Sequence, residues 1–213
     1  MGISIESLFS SKWKTDPIIV EYSSVIIDAV YSKVNIDLDF SPDTVSLLDY
    51  YVNEIGDVDK SMFSLMSTIS CAYFGELVRR NIGGQWYIED KDNPENWQVR
   101  FNSCPLAIYP FILSSEVISK GKFSLESSIF SVSPSRHDLL LELLEKSNPM
   151  AEDQYYSFAG KLDIIELAVD FLSSVENELH EKSKKPITKF GNEDPQTVKC
   201  LPLSVIDTKN KKK

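Results

Sequence analysis

The sequence has few of the residues that cross-link a chain or bind metals. Only three of its 213 residues are cysteines, Cys71, Cys104 and Cys200, and no two of them form a CxxC pair. An odd number of widely spaced cysteines is typical of reduced thiols in a cytosol rather than of a disulfide framework. The only histidines are His137 and His180. Because zinc needs three or four ligands in one place, we expect no metal site.

Long hydrophobic runs are also missing. Apolar runs such as residues 17–20 and 25–27 are far shorter than the roughly 20 residues that span a bilayer. The N-terminus has no basic region followed by an apolar one, which argues against a secretory signal. Position 6 is Glu6, where a myristoylation signal has serine or threonine. The sequence therefore predicts a cytoplasmic protein that does not bind membranes.

The common catalytic motifs do not occur: GxxxxGK[ST], GxGxxG, GxSxG and HExxH are all missing. Arg136, His137 and Asp138 stand together at a predicted helix start, where consecutive side chains are expected to point in different directions. The acidic loop 90–95 lacks the spacing of a calcium-binding EF-hand. We therefore predict no catalytic residue, no metal and no cofactor, and the sequence gives no positive evidence for an enzyme.

Positive charge is scarce over most of the chain. The 22 lysines and arginines against 32 acidic residues give a formal charge of −10 and an isoelectric point of about 4.7. Residues 181–213 carry nine lysines and four acidic residues, which leaves −15 for residues 1–180. This balance argues against nucleic acid as a partner and favours a protein with a basic surface. We predict a single domain over 1–180 and a basic tail over 181–213 that is at most partly ordered.

Helix signals recur along the chain. Asp16 before Pro17 is a cap followed by the residue favoured at the first helical position. Ser41 and Pro42 mark a second start, and Gly56 ends that helix. Further helices are predicted over 59–82, 134–146 and 160–182, the last with its apolar side chains, Leu167 among them, directed inward. The segment 105–111 is predicted to add a strand or lead into a helix.

After the third predicted helix, the spacing of apolar residues changes from a helical period to alternation with polar residues. Trp86 and Ile88, and later Trp97, Val99 and Phe101, alternate with polar residues, which predicts two strands of a hairpin joined by residues 90–96. The predicted fold class is α+β, a mainly helical body with a small antiparallel β-hairpin or sheet.

The segment 71–86, CAYFGELVRRNIGGQW, is the least ordinary part of the chain. Gly75 interrupts a strong helical pattern, where a glycine often permits the close approach of another group. Glu76 and Arg80 have the favourable i, i+4 order of a helical ion pair. We expect Arg79 and Arg80 to face the negative end of the helix, and Trp86 to fold back over it after Gly83 and Gly84.

These residues resemble uncharacterised bacterial domain families in which a helix ending in YxGE…RR…GGxW leads into a β-hairpin. The resemblance covers about thirty residues, 71–101, and implies that fold and a bacterial cytosolic setting, with no activity attached. The residues that carry it are Tyr73, Gly75, Glu76, Arg79, Arg80, Gly83, Gly84 and Trp86.

Two interpretations of the segment follow. In the favoured one it is a structural junction between helix and hairpin. In the other it is a ligand site, formed by Tyr73, Glu76, Arg79, Arg80 and Trp86.

Three functions remain open. The first is a non-catalytic interaction module with an acidic surface, for example an immunity or antitoxin-like protein that covers a basic toxin. The second is a small-ligand-binding protein or enzyme that uses Glu76, Arg79 and Arg80 near Trp86. The third is a structural subunit of an assembly.

Overall fold

Helices make up most of the part of the chain that the structure describes, and one antiparallel sheet packs with them. The structure is a computed structural model, and it describes residues 4–10, 12–56, 59–120, 129–147, 150–183 and 199–200. This architecture confirms the predicted α+β class. The helices are α1 (Ile5–Leu8), α2 (Pro17–Val34), α3 (Val45–Ile55), α4 (Lys60–Val78), α5 (Pro110–Ser119), α6 (Pro134–Lys146), α7 (Glu152–Tyr155) and α8 (Phe158–Ser183). The strands are β1 (Gly84–Tyr87), β2 (Gln98–Phe101), β3 (Leu106–Ile108), β4 (Phe130–Val132) and the two-residue β5 (Lys199–Cys200).

The sheet has its strands in the order of the chain, and every neighbouring pair is antiparallel. The predicted hairpin is β1–β2, in which Trp86 lies opposite Val99. Its connection includes a 3-10 turn, Pro94–Asn96, and the fully buried Trp97 closes it by donating its indole hydrogen bond to the carbonyl of Asp90. Strand β4 has no counterpart among the strands that the sequence predicted.

The predicted helix start at Asp16 and Pro17 is confirmed, whereas the one at Ser41 and Pro42 is shifted. A carboxylate oxygen of Asp16 accepts the amide hydrogen of Ile18 at 3.0 Å, and Pro17 opens α2. After Ser41 the chain first forms a 3-10 turn, Pro42–Thr44, and α3 begins only at Val45. The structure therefore moves the start of this helix by one turn.

Helix α4 runs through the core, because every residue from Met66 to Val78 is buried. It packs against α2 and α5. The helix ends at Val78 rather than at the predicted Ile82, and a wider π-helical turn, Arg79–Gly83, leads into β1. This turn lies within the segment 71–86 and positions Trp86 relative to α4.

The predicted boundary between domain and tail, at residue 180, falls inside α8, which continues to Ser183. Of the predicted tail, residues 184–198 and 201–213 lie outside the described residues, and Lys199–Cys200 pairs with β4. The single domain over 1–180 stays a prediction. No helix in the described ranges is both long and apolar enough to cross a membrane.

Candidate functional site

Glu76 is the centre of the predicted site, and its side chain is fully buried on the last turn of α4. Oxygen Oε1 accepts hydrogen bonds from Thr15 Oγ1, Arg79 Nη2 and Arg80 Nε, each at 2.7 Å. Oxygen Oε2 accepts from Arg79 Nε at 2.8 Å and from Trp86 Nε1 at 3.0 Å. A carboxylate offers about four lone-pair sites, so five donors occupy it completely. We call these residues, Thr15, Glu76, Arg79, Arg80 and Trp86, the Glu76 cluster.

The two arginines also hold the N-terminal segment that precedes α2. Arg79 Nη2 donates to the carbonyl of Trp13 at 3.0 Å, and Arg80 Nη1 donates to the carbonyl of Leu8 at 2.9 Å. The guanidinium of Arg80 lies 4.0 Å from the ring centre of Phe40 and 4.9 Å from that of Trp13. The arginines therefore fold back onto Glu76 and the N-terminal segment, which is more than the helix-end role predicted for them.

The electrostatics of the Glu76 cluster favour the ionised form of its carboxylate. Burial acts to raise the pKa of Glu76, but hydrogen bonds from Arg79, Thr15 and Arg80 and the charge of Arg79 outweigh it, and the pKa lies below its ordinary value. Burial lowers the pKa of Arg80, and the bonded Glu76 opposes this effect. A carboxylate that keeps its charge and has no free lone pair is poorly suited to exchange protons with a substrate.

Tyr73 lies on the side of α4 that faces residues 39–44. Its ring stacks on Phe40, with centres 4.7 Å apart, and its hydroxyl accepts the backbone hydrogen of Phe40 at 3.2 Å. Burial raises the pKa of Tyr73 to about 12. Tyr73 and Arg80 thus both contact the Phe40 ring, whereas Arg79, Arg80 and Trp86 are hydrogen-bonded to Glu76.

The predicted return of Trp86 over the helix is confirmed. A Cβ atom added to Gly75 would lie 2.2 Å from Trp86 Cη2 and 2.9 Å from Pro110 Cγ. Only glycine leaves room for the indole at this distance. The φ angle of 94° at Gly83 lies in the region that favours glycine, and it lets the chain turn toward β1.

These contacts favour the interpretation of segment 71–86 as a structural junction. Its charged groups bind one another, the N-terminal segment and the hairpin. A ligand-binding role for Tyr73, Glu76, Arg79, Arg80 and Trp86 stays a prediction.

A second buried charge pair escaped the sequence analysis. Lys161 Nζ lies 2.9 Å from Glu116 Oε2, and both side chains are buried. Their 45-residue separation hides the pair in the sequence. A signal did exist, because Lys161 stands at helical spacing with the apolar Phe158 and Ile165, on the buried stripe of α8.

The remaining sequence candidates lie apart from the Glu76 cluster. His137 and Asp138 were expected to point apart, but His137 Nδ1 lies 2.8 Å from Asp138 Oδ1. The side chain of Asp138 is 99% exposed. Cys71 and Cys104 are buried free thiols, and burial raises the pKa of Cys104 to about 11. Within the described ranges, no group of three or more histidine, cysteine or acidic side chains is placed to hold a metal ion.

An acidic surface on α8 is the other feature that the sequence analysis missed. Leu167, predicted to point inward, is 40% exposed, and it lies between Asp163, Glu166 and Asp170 at helical spacing. Burial raises the pKa of Glu166, and the charges of Asp163 and Asp170 raise it further. None of these carboxylates forms an ion pair with a described residue. We call these four residues the α8 acidic face.

The α8 acidic face and the Glu76 cluster differ in how far their charged groups are paired. In the cluster one carboxylate is bonded to two arginines, which leaves a net charge of +1, whereas the acidic face concentrates negative charge that has no ion-pair partner among the described residues around an exposed apolar side chain. Comparison with protein-family models, with curated proteins and with solved structures finds no match to this chain.

Proposed function

We propose that this protein is a non-catalytic cytosolic module that binds a partner protein with a basic surface, and that the partner docks on the α8 acidic face. The observation that carries the proposal is the group of Asp163, Glu166 and Asp170, which repel one another around the exposed Leu167. A lysine or arginine from a partner would relieve this repulsion. Leu167 would supply the apolar contact that such an interface also needs.

The charge of the whole chain supports the same proposal. Residues 1–180 carry a formal charge of −15, and a surplus of one sign steers an oppositely charged partner before contact. Attraction of this kind weakens as salt rises, because the Debye length falls from about 10 Å at 0.1 M to about 3 Å at 1 M. Salt dependence is therefore the property by which the interaction is recognised.

An immunity or antitoxin-like protein is the concrete form that we favour. A toxin that cleaves nucleic acid must be positively charged where it meets phosphate, and an acidic inhibitor can cover that surface. The hydrogen bonds within the Glu76 cluster support a non-catalytic role, because they occupy both oxygens of its carboxylate.

The test compares two double variants with the natural sequence in pull-downs from the native host. Asp163→Asn with Asp170→Asn removes two charges from the α8 acidic face. Glu21→Gln with Asp28→Asn is the matched control on α2, where two exposed carboxylates with the same seven-residue spacing flank Val25, which is 47% exposed.

We expect the natural protein and the α2 control to retain the same partner at low salt and to release it as salt rises. The α8 double variant should lose that partner at low salt. Partners that ignore ionic strength, or that bind the α8 double variant as well as the natural protein, would contradict the proposal.

A further inference from the structure

A groove of about 460 Å³ is lined by residues of, or next to, α3, α5 and α7. It is lined by Asn53 of α3, Lys120 after α5, Glu152 and Asp153 of α7, and Tyr156 after α7. Its volume falls within the range of pockets that bind small molecules. The groove shares no residue with the Glu76 cluster or the α8 acidic face.

A buried ion pair, Lys161 with Glu116, lies next to one side of this groove. The ammonium of Lys161, held by Glu116, lies 3.4 Å from the ring centre of Tyr155 and 5.7 Å from that of Tyr156. The two tyrosine rings meet edge to face, with centres 4.9 Å apart. A buried ion pair is costly to desolvate and contributes little net stability by itself. The pair connects to the groove through Tyr155, whose ring packs against the lining residue Tyr156.

Two of the polar lining residues, Lys120 and Asn53, each follow by one turn a residue that is bonded to α8. Lys120 follows Glu116 by one helical turn, and Glu116 is bound to Lys161 of α8. Asn53 follows Asp49 by one turn, and the carboxylate of Asp49 accepts the backbone hydrogens of Phe158 at 2.6 Å and Ala159 at 3.1 Å. Both α3 and α5 are thus anchored to the first turns of α8, which places the groove on a rigid base.

The lining combines both signs of charge from different elements. Lys120 supplies a cation, and Glu152 and Asp153 supply anions, and none of the three forms an ion pair with another described side chain. A zwitterionic ligand would satisfy both signs of this lining at once. From this arrangement we propose that the groove binds a free α-amino acid. The carboxylate would bind at Lys120, the ammonium at Glu152 and Asp153, and the side chain against the ring of Tyr156.

The test is a thermal-shift screen of the twenty common L-amino acids, followed by calorimetric titration of each amino acid that raises Tm. At about 10 mM, an amino acid with a Kd of about 0.1 mM should raise Tm by about 5 to 10 °C. Its N-acetyl form lacks the ammonium and its amide form lacks the carboxylate, so each should bind at least about tenfold more weakly, the loss that one charged contact entails.

Two variants locate the binding. Lys120→Met and Glu152→Gln should each raise Kd about tenfold or more, whereas Lys60→Met, at an exposed lysine of α4, should leave Kd unchanged. Lys120 and Glu152 are both exposed, so both variants are expected to fold, which circular dichroism checks. The proposal fails if no amino acid shifts Tm, if the acetylated or amidated forms bind equally well, or if both groove variants bind as the natural protein does. None of these results depends on the α8 acidic face.

Discussion

Replacement of Glu76 by glutamine tests the Glu76 cluster most directly. The change keeps the shape of the side chain but removes the negative charge between two arginines whose side chains are only 14% and 5% exposed. Removal of one partner from a buried ion pair typically costs about 3–5 kcal/mol, because the remaining charge is left buried and uncompensated. A protein of this size loses about 2–4 °C in Tm per kcal/mol, so we expect Tm to fall by about 6 to 20 °C.

The loss of stability in Glu76→Gln should depend on pH in a defined direction. Because the pKa of Glu76 is lowered by folding, its stabilisation is complete above the unfolded pKa of about 4.3 and disappears as the pH falls through the lower folded pKa. Chemical unfolding should therefore show a large difference between the natural protein and Glu76→Gln at pH 7. The difference should shrink as the pH falls below about 4.

Trypsin supplies a second measurement, specific to the N-terminal segment. Lys12 and Lys14 are exposed in that segment, whose Trp13 and Leu8 carbonyls accept hydrogen bonds from Arg79 and Arg80. Loss of the anion that positions the arginines should speed cleavage at these lysines.

The control is Glu54→Gln. Glu54 pairs with Lys33 at 3.6 Å and both side chains are about half exposed, so the change should cost less than about 1 kcal/mol. If Glu76→Gln destabilises the protein no more than Glu54→Gln does, or if the difference persists unchanged at low pH, the reasoning is refuted.

Two further predictions concern packing and the second buried pair. Gly75→Ala should destabilise the protein by about 1–3 kcal/mol although alanine is the better helix former, because its Cβ overlaps Trp86. In a double-mutant cycle, Trp86→Leu should remove the part of that penalty that the indole causes, while the contact with Pro110 remains, and additive effects in urea unfolding would argue against the overlap with Trp86. Lys161→Met should cost about 3–5 kcal/mol by leaving Glu116 buried and unpaired, and Glu116→Leu in the same chain should recover most of it. A double variant no more stable than the single one would show that the pair does not act as a unit.

Local signals carried most of what could be predicted from the sequence. The Asp16–Pro17 helix start and the alternation that gives β1 and β2 depend on neighbouring residues, and both were found where expected. The return of Trp86 over Gly75 was predictable for the same reason, because a glycine inside an apolar helical pattern marks a close approach.

Features that depend on distant parts of the chain were missed. The i, i+4 spacing of Glu76 and Arg80 predicted an ion pair, but not that Thr15 and the carbonyls of Leu8 and Trp13 complete the Glu76 cluster. Strand β4 is only three residues long and exists through its pairing with β3, so its own sequence carries little signal. The exposure of Leu167 likewise depends on where neighbouring helices lie, and not on the apolar period of α8.

The π-helical turn Arg79–Gly83 has a consequence for how this chain can change in length. The turn inserts extra backbone between Glu76 and Trp86, and the indole reaches both Gly75 and the Glu76 carboxylate only with that spacing. Deletion of one residue here would also shift β1 by one position and reverse which of its side chains face the core. Related chains that gain or lose residues should therefore do so in the exposed connection between β1 and β2, and keep the count from Glu76 to Trp86 constant.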